Sequence, residues 1–186
     1  MRLTWTQQII LCMPLVFAGV CNMIFVKSSI LASWRIPMDA GLCFNDGKRV
    51  FGTNKTWKGF AGMIGWTTLW MVFIATITHN SVFPQTLPSQ ILFGAAWGLA
   101  YVLGELPNSL IKRRLNIAPG SNVSGLRGLF FLWLDQADSA IACAIVLPFF
   151  IEVSWQDCIA LVFVGSGIHF AANIGLFYVG LKSQRG

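Results

Sequence analysis

Charge is scarce in this chain. Of its 186 residues only 11% are Asp, Glu, Lys or Arg, against about 25% in soluble domains, which excludes an ordinary water-soluble globule. Histidine is almost missing: His79 lies in a short polar turn and His169 in an apolar stretch, and neither is assigned to catalysis. The five cysteines are odd in number, scattered and without a Cys-x-x-Cys pair, which leaves no disulfide framework and no zinc site. A complete G-x-x-x-x-G-K-[ST] loop is absent, so a Walker nucleotide site is rejected. No internal repeat and no low-complexity tract is present.

Apolar residues, by contrast, make up 55% of the chain, and mean hydropathy is +0.66. Five apolar stretches run approximately over 8–26, 60–77, 91–111, 129–151 and 158–181. At 1.5 Å per residue, about 20 helical residues cross roughly 30 Å of hydrocarbon. The expected fold is an all-α integral membrane protein with about five transmembrane helices, residues 1–186 forming a single polytopic domain. The first stretch is kept as a span, because no small-residue cleavage pattern follows it.

Basic residues orient the spans. Lys27, Arg35, Lys48, Arg49, Lys55, Lys58, Lys112, Arg113, Arg114, Arg127, Lys182 and Arg185 fall in 27–59, 112–128 and 182–186, leaving Arg2 alone beyond them. Positive residues mark cytoplasmic segments. The expected topology has the N-terminus outside and the C-terminus in the cytoplasm, in a cell (inner) membrane. A long cytoplasmic loop then joins helices 1 and 2, at about 27–59, and another covers about 112–128. The net charge of +6 is read as these loops with anionic partners such as lipid headgroups or phosphates, and not as nucleic-acid binding.

Two carboxylates, Asp135 and Asp138, sit inside the fourth apolar run. A charge near the bilayer centre costs roughly 2.5–3.5 kcal/mol on insertion scales. Three residues apart, the two share a helix face, and a bound cation such as Mg²⁺ explains them, since carboxylate oxygens are its preferred ligands. The third span ends Glu105-Leu-Pro107-Asn108-Ser109-Leu-Ile-Lys112-Arg113-Arg114. Glu105, Ser109 and Lys112 recur at helical spacing with Asn108 beside them, and Pro107 is expected to bend the helix. Glu105 and Asp135 lie about 10–12 Å inward of the basic rim, so the three acids are expected to converge on one wet, cation-lined cavity. Pairing with Lys or Arg is the alternative, credible for Glu105 beside Lys112 and weaker for Asp135 and Asp138, whose span holds no basic residue. Lys112, Arg113 and Arg114 end a helix as basic residues ordinarily do, yet beside the acids they favour phosphate binding by at least one of them. In the long loop Asn45-Asp46-Gly47 is turn chemistry, and Gly52-Thr53-Asn54-Lys55-Thr56 can present N–H groups and a cation to phosphate. The glycines Gly62, Gly65, Gly165 and Gly167 are read as close-packing positions.

These residues carry a resemblance. The stretch from Pro37 to Gly59, with Asp39, Gly41, Phe44, Asp46, Gly47, Lys48, Arg49, Gly52, Asn54, Lys55, Thr56, Trp57 and Lys58, resembles the first cytoplasmic loop of the CDP-archaeol synthase family. Gly104-Glu105, Ser109 to Arg114 and Leu134-Asp135-Gln136-Ala-Asp138 are similar to its other two signatures, and they also resemble phosphatidate cytidylyltransferases (CDP-diglyceride synthases). Glu105 stands where the family usually has Asp, and 115–128 is longer than usual and rich in Gly and Ser. The resemblance implies Mg²⁺-dependent transfer of CMP from CTP to a lipid phosphate, phosphatidate-like or archaetidic-acid-like, giving a CDP-lipid and pyrophosphate. It implies Lys112, Arg113, Asp135 and Asp138 as catalytic. Glu105, Asp135 and Asp138 would hold metal. Asp39, Asp46, Lys48, Asn54, Lys55, Thr56, Lys58, Ser109 and Arg114 would bind substrate. A homo-oligomer is compatible with this reading. The competing readings are a small ion or solute transporter that uses the intramembrane acids, and a non-catalytic scaffold.

Overall fold

The computed structural model describes residues 2–119, 121 and 124–181; Lys182 and Arg185 lie outside the described residues. Five helices account for nearly all regular structure: α1 Trp5–Lys27, α2 Trp57–Thr78, α3 Leu87–Arg114, α4 Gly125–Val146 and α5 Trp155–Tyr178. All five are long and apolar enough to cross a membrane, as expected for an all-α protein. Each packs against its neighbour in the chain, and α5 returns to α1 to close the ring.

Local chemistry sets the ends. Thr4 with Gln7 and Ser154 with Asp157 form capping boxes that open α1 and α5, and Thr56 accepts from the Gly59 amide to open α2. Such caps satisfy amides that lack partners in the first turn. The helices differ from the expected spans mainly at α3, which starts at Leu87, and α4, which starts at Gly125. Past Val146 the chain tightens into a short 3-10 turn, Leu147–Phe149, where Pro148 has no N–H to donate. Pro107, in contrast, lies inside an unbroken α3.

Glycine governs how closely the helices approach. A Cβ at Gly94 would lie 2.7 Å from the Thr68 Cα, and one at Gly98 2.9 Å from the Ile64 Cα, so α3 packs backbone to backbone on α2. At Gly104 a Cβ would lie 2.7 Å from the Asp138 carbonyl oxygen and 3.0 Å from the Ser139 Cα, which fixes α3 against α4. Of the four glycines expected to pack closely, Gly62 and Gly165 do, whereas Gly65 and Gly167 have nothing within 4 Å of that position. Gly104→Ala is therefore expected to destabilise the bundle by about 1–3 kcal/mol, as overpacking does. Gly65→Ala should leave stability unchanged or raise it. Thermal unfolding of the two variants in one detergent checks both.

The end of the bundle away from the long loop is filled by Leu11, Met71, Phe93, Trp97, Leu147 and Leu161, all 2% exposed or less. The polar residues gather at the other end, where the loop docks. Large apolar side chains such as Leu126, Phe149 and Phe163 point outward, as hydrocarbon contact requires.

Candidate active site

The long loop is built around one buried carboxylate. Asp39, 3% exposed, accepts hydrogen bonds from the amides of Gly41, Phe51 and Gly52 at 3.0–3.1 Å and pairs with the Arg49 guanidinium. Burial alone would push this carboxyl up, but Arg49 and the three amides outweigh it and hold the group well below the usual carboxylate range. The same contact raises the affinity of Arg49 for its proton. Phe44 and Lys48 close a tight turn through the Phe44 amide and the Lys48 carbonyl, 3.0 Å, with Gly47 at φ +73° supplying the left-handed residue.

A second acid fastens the loop to α3. Asp46 accepts from the Lys48 amide at 3.0 Å and from Arg114 at 2.9 and 3.0 Å, contacts that lower its pKa. Arg114 also donates to the carbonyls of Lys48 and Arg49 and covers the Phe44 ring. Lys48 in turn donates to the Arg114 carbonyl, 3.1 Å. Asp39, Asp46 and Arg114, implied by resemblance as substrate ligands, thus shape and clamp the loop in this structure. Thr56 is occupied as the α2 cap. Lys58 is displaced from the expected phosphate-facing set: fully buried, it donates to the Ser28 carbonyl at 2.8 Å and lies over Phe25, so that it caps the end of α1.

At the α3–α4 crossing the remaining residues meet. Gly104, Asn108 and Lys112 recur every four positions on α3 and lie against α4. Asn108 donates through one amide nitrogen to both aspartates, 2.6 Å to Asp135 Oδ1 and 2.9 Å to Asp138 Oδ2. One turn further, the Lys112 ammonium sits 2.5 Å from each oxygen of Asp135. The other oxygen of Asp138 accepts from the Ser139 amide at 2.6 Å. The helical stripe expected from Glu105, Ser109 and Lys112 is therefore rotated from the one that faces α4. Ser109 is half-buried and takes no part in the crossing.

Glu105 pairs with Lys55 of the loop. The charge of Glu105 still reaches Asp138, but the three acids do not line the one common cavity expected of them. Glu105 lines a cavity of about 350 Å³ that reaches down among the five helices. Asp135 and Lys112 open on a separate one of about 330 Å³ near Ser121, Gly125 and Phe131. Among the described residues, no three His, Cys, Asp or Glu side chains cluster to hold a metal ion. The ion pairs also correct the expected partners: Asp135 does have a basic partner, Lys112 of the neighbouring helix, and Glu105 takes Lys55.

Arg113 is different from its neighbours. Its Nε and Nη1 are buried and have no hydrogen-bond partner. Beside it runs Gly52 at φ +98°, where a Cβ would stand 3.1 Å from the Pro119 ring and 3.5 Å from Arg113 Nε. A side chain at 52 would be strained in backbone and would crowd the guanidinium. Asn54, also expected to bind substrate, borders the larger cavity next to Lys55.

A bundle of membrane-spanning helices with an unpartnered guanidinium, two lysines and paired carboxylates gathered at one end is an intramembrane protein built to handle phosphate-bearing ligands. The family model of CarS-like CDP-archaeol synthases matches residues 7–185. CDP-archaeol synthase of Thermococcus gammatolerans is 32% identical over 84% of this chain and 85% of its own length. That of Pyrobaculum arsenaticum is 33% identical over 84% and 88%. That of Thermofilum pendens is 31% identical, and the chain spans 66% of its length. The solved structure of an intramembrane enzyme of archaeal membrane lipid biosynthesis shares the fold, with a TM-score of 0.58 at 24% identity over 86% of this chain and 92% of that one. The chain belongs to the CDP-archaeol synthase family, membrane cytidylyltransferases of lipid biosynthesis that use CTP.

Proposed function

We propose that this protein transfers the cytidylyl group of CTP to a lipid phosphate at the cytoplasmic end of the bundle, releasing pyrophosphate. The observation that supports this reading best is the α3–α4 crossing, where Asn108 joins Asp135 to Asp138 and Lys112 stands beside them. The cytoplasmic orientation rests on the basic residues gathered at that end.

In the reaction a lipid phosphate oxygen attacks the α-phosphorus of CTP. A new P–O bond forms as the bond from that phosphorus to the bridging oxygen breaks, and pyrophosphate leaves with the electron pair. The attacking phosphate is already ionised near neutral pH, so no strong general base is needed. What the reaction demands is alignment of two anions and neutralisation of their charge. Arg113 has two unpartnered nitrogens, Nε and Nη1, for this, in the planar geometry that suits phosphate oxygens. Lys112 and Lys55, each held by a carboxylate, supply point charges at the two cavities that flank the crossing.

The donor set fits Mg²⁺ in type. Asp135 and Asp138 are hard oxygen donors side by side, and the buried Asn108 Oδ1 has no partner. Mg²⁺ at such sites takes one or two carboxylates together with substrate phosphates, so two aspartates suffice without Glu105. When bound there, the ion would neutralise charge developing on the phosphates. A transporter would need its polar path to continue, yet the opposite end of the bundle is filled by the apolar side chains that pack around Trp97.

CTP supplied with phosphatidate-like and archaetidic-acid-like lipids, with and without Mg²⁺, and product mass spectrometry test this reading. CDP-lipid formed only with the divalent ion is the expected result. Arg113→Ala should weaken use of phosphate substrates by roughly 10–100-fold, the worth of one or two hydrogen bonds to a charged group. Arg113→Lys should recover only part. Initial rates over a matrix of both substrate concentrations check this.

A further inference from the structure

We infer that the 350 Å³ cavity is the slot for the lipid phosphate, and that Tyr101, His169, Gln136 and Asn173 read the polar linker between its headgroup and its chains. The inference rests on the proposed function and assigns a site to one of its substrates.

The cavity is layered along the membrane normal as an amphiphile is. At its mouth are Asn54, Lys55, Thr56 and Glu105, polar or charged. Tyr101 lies four residues, about 6 Å, deeper along α3. There its hydroxyl meets His169 Nε2 at 3.2 Å; one turn nearer the mouth along α5, Asn173 donates to Gln136 Oε1 at 2.8 Å. All four line the cavity. Deeper still the walls are Cys12, Trp97, Cys143 and Leu161. Hydrogen bonding within each pair offsets the cost of holding polar groups between apolar helices, and neither pair belongs to the chemistry derived above. A nucleoside triphosphate is polar throughout and does not match an apolar floor. A phosphate, a glycerol-like linker and an apolar chain match the three layers in order.

The α1–α5 seam is tied at both ends, by the Lys27 ammonium on the Leu181 carbonyl at 2.7 Å and by the Leu3 amide on Asp157 at 2.9 Å. Between these ties Gly19 lines the cavity with nothing within 4 Å of a Cβ position. A bulky residue there fills the slot without displacing protein atoms close to the backbone.

The test uses the full chain in detergent and measures binding by calorimetry, without turnover. The probes are a short-chain glycerolipid phosphate, dodecyl phosphate (which lacks the glycerol linker) and CTP. Gly19→Phe is expected to weaken both lipid probes at least about tenfold and to leave CTP binding within about twofold. His169→Phe, which keeps a ring in place, is expected to weaken the glycerolipid phosphate by about three- to tenfold and dodecyl phosphate not at all. Unchanged lipid binding in Gly19→Phe, or an equal loss of CTP, overturns the slot. Equal effects of His169→Phe on the two lipid probes overturn the linker assignment. A wild-type protein that binds lipid phosphate in this pattern yet makes no CDP-lipid would sink the proposed function and leave the slot standing.

Discussion

Asp138→Asn is expected to lower CDP-lipid formation by at least about a hundredfold, the scale seen when one preorganised electrostatic group is removed. Both Asp138 oxygens accept from N–H donors, one from Asn108 and one from the Ser139 amide. An asparagine has one oxygen, so in either orientation its amide nitrogen faces a donor. The substitution therefore removes the charge and also disturbs the Asn108 bridge to Asp135. The loss should fall on kcat and spare the affinity of the lipid slot. Initial rates at saturating lipid, with thermal unfolding as the control for folding, check it; an unfolding midpoint near wild type with activity intact would show that Asp138 has no part in the chemistry.

The second large effect belongs to the loop. Asp39→Ala leaves the Arg49 guanidinium and three amides without their acceptor. Arg49 is partly exposed and can turn to water, so the main loss is the shared acceptor of the three loop amides. The spans have their own apolar packing, so the damage should be local. Trypsin is expected to cut at Lys48 or Arg49 many times faster, and activity to fall by roughly 10–100-fold, as when supporting residues around a site are lost. Acid should reproduce the effect. Folding holds this carboxyl below its ordinary value, so its contribution is complete above about pH 4 and is lost as pH falls through the lower folded value. Loop cleavage by pepsin, a protease active in acid, at a series of pH values below about 4 follows that loss directly.

The spans are legible in the sequence because about 20 apolar residues have few alternatives to a membrane helix. The Asp135–Asp138 pair stands out for the same reason: charge in an apolar run is costly and demands a partner. What periodicity does not reveal is how one helix is turned against the next. The close approach at Gly104 decides that Asn108 and Lys112 face α4, and it leaves Glu105 for Lys55. Glycine spacing alone does not separate Gly62, which packs on α1, from Gly65, which faces open space. Loop residues are harder still. Asp39, Asp46 and Arg114 belong to the motif that carries the family resemblance, yet their contacts build the loop itself, and only the three-dimensional hydrogen bonds separate that role from ligand binding. The pair of Tyr101 and His169 is 68 residues apart in sequence, and no local pattern joins them. Their one sequence signal is the presence of polar side chains in apolar spans.

Cytidylyl transfer is tested most directly with reconstituted protein given Mg²⁺, a lipid phosphate and CTP labelled at either the α- or the γ-phosphorus. Label from the α position should enter the lipid fraction while the γ label leaves as pyrophosphate, and Asp135→Asn should abolish the transfer. A lipid fraction that stays unlabelled, that takes up the γ label, or that is labelled equally by the variant would contradict cytidylyl transfer at the α3–α4 crossing.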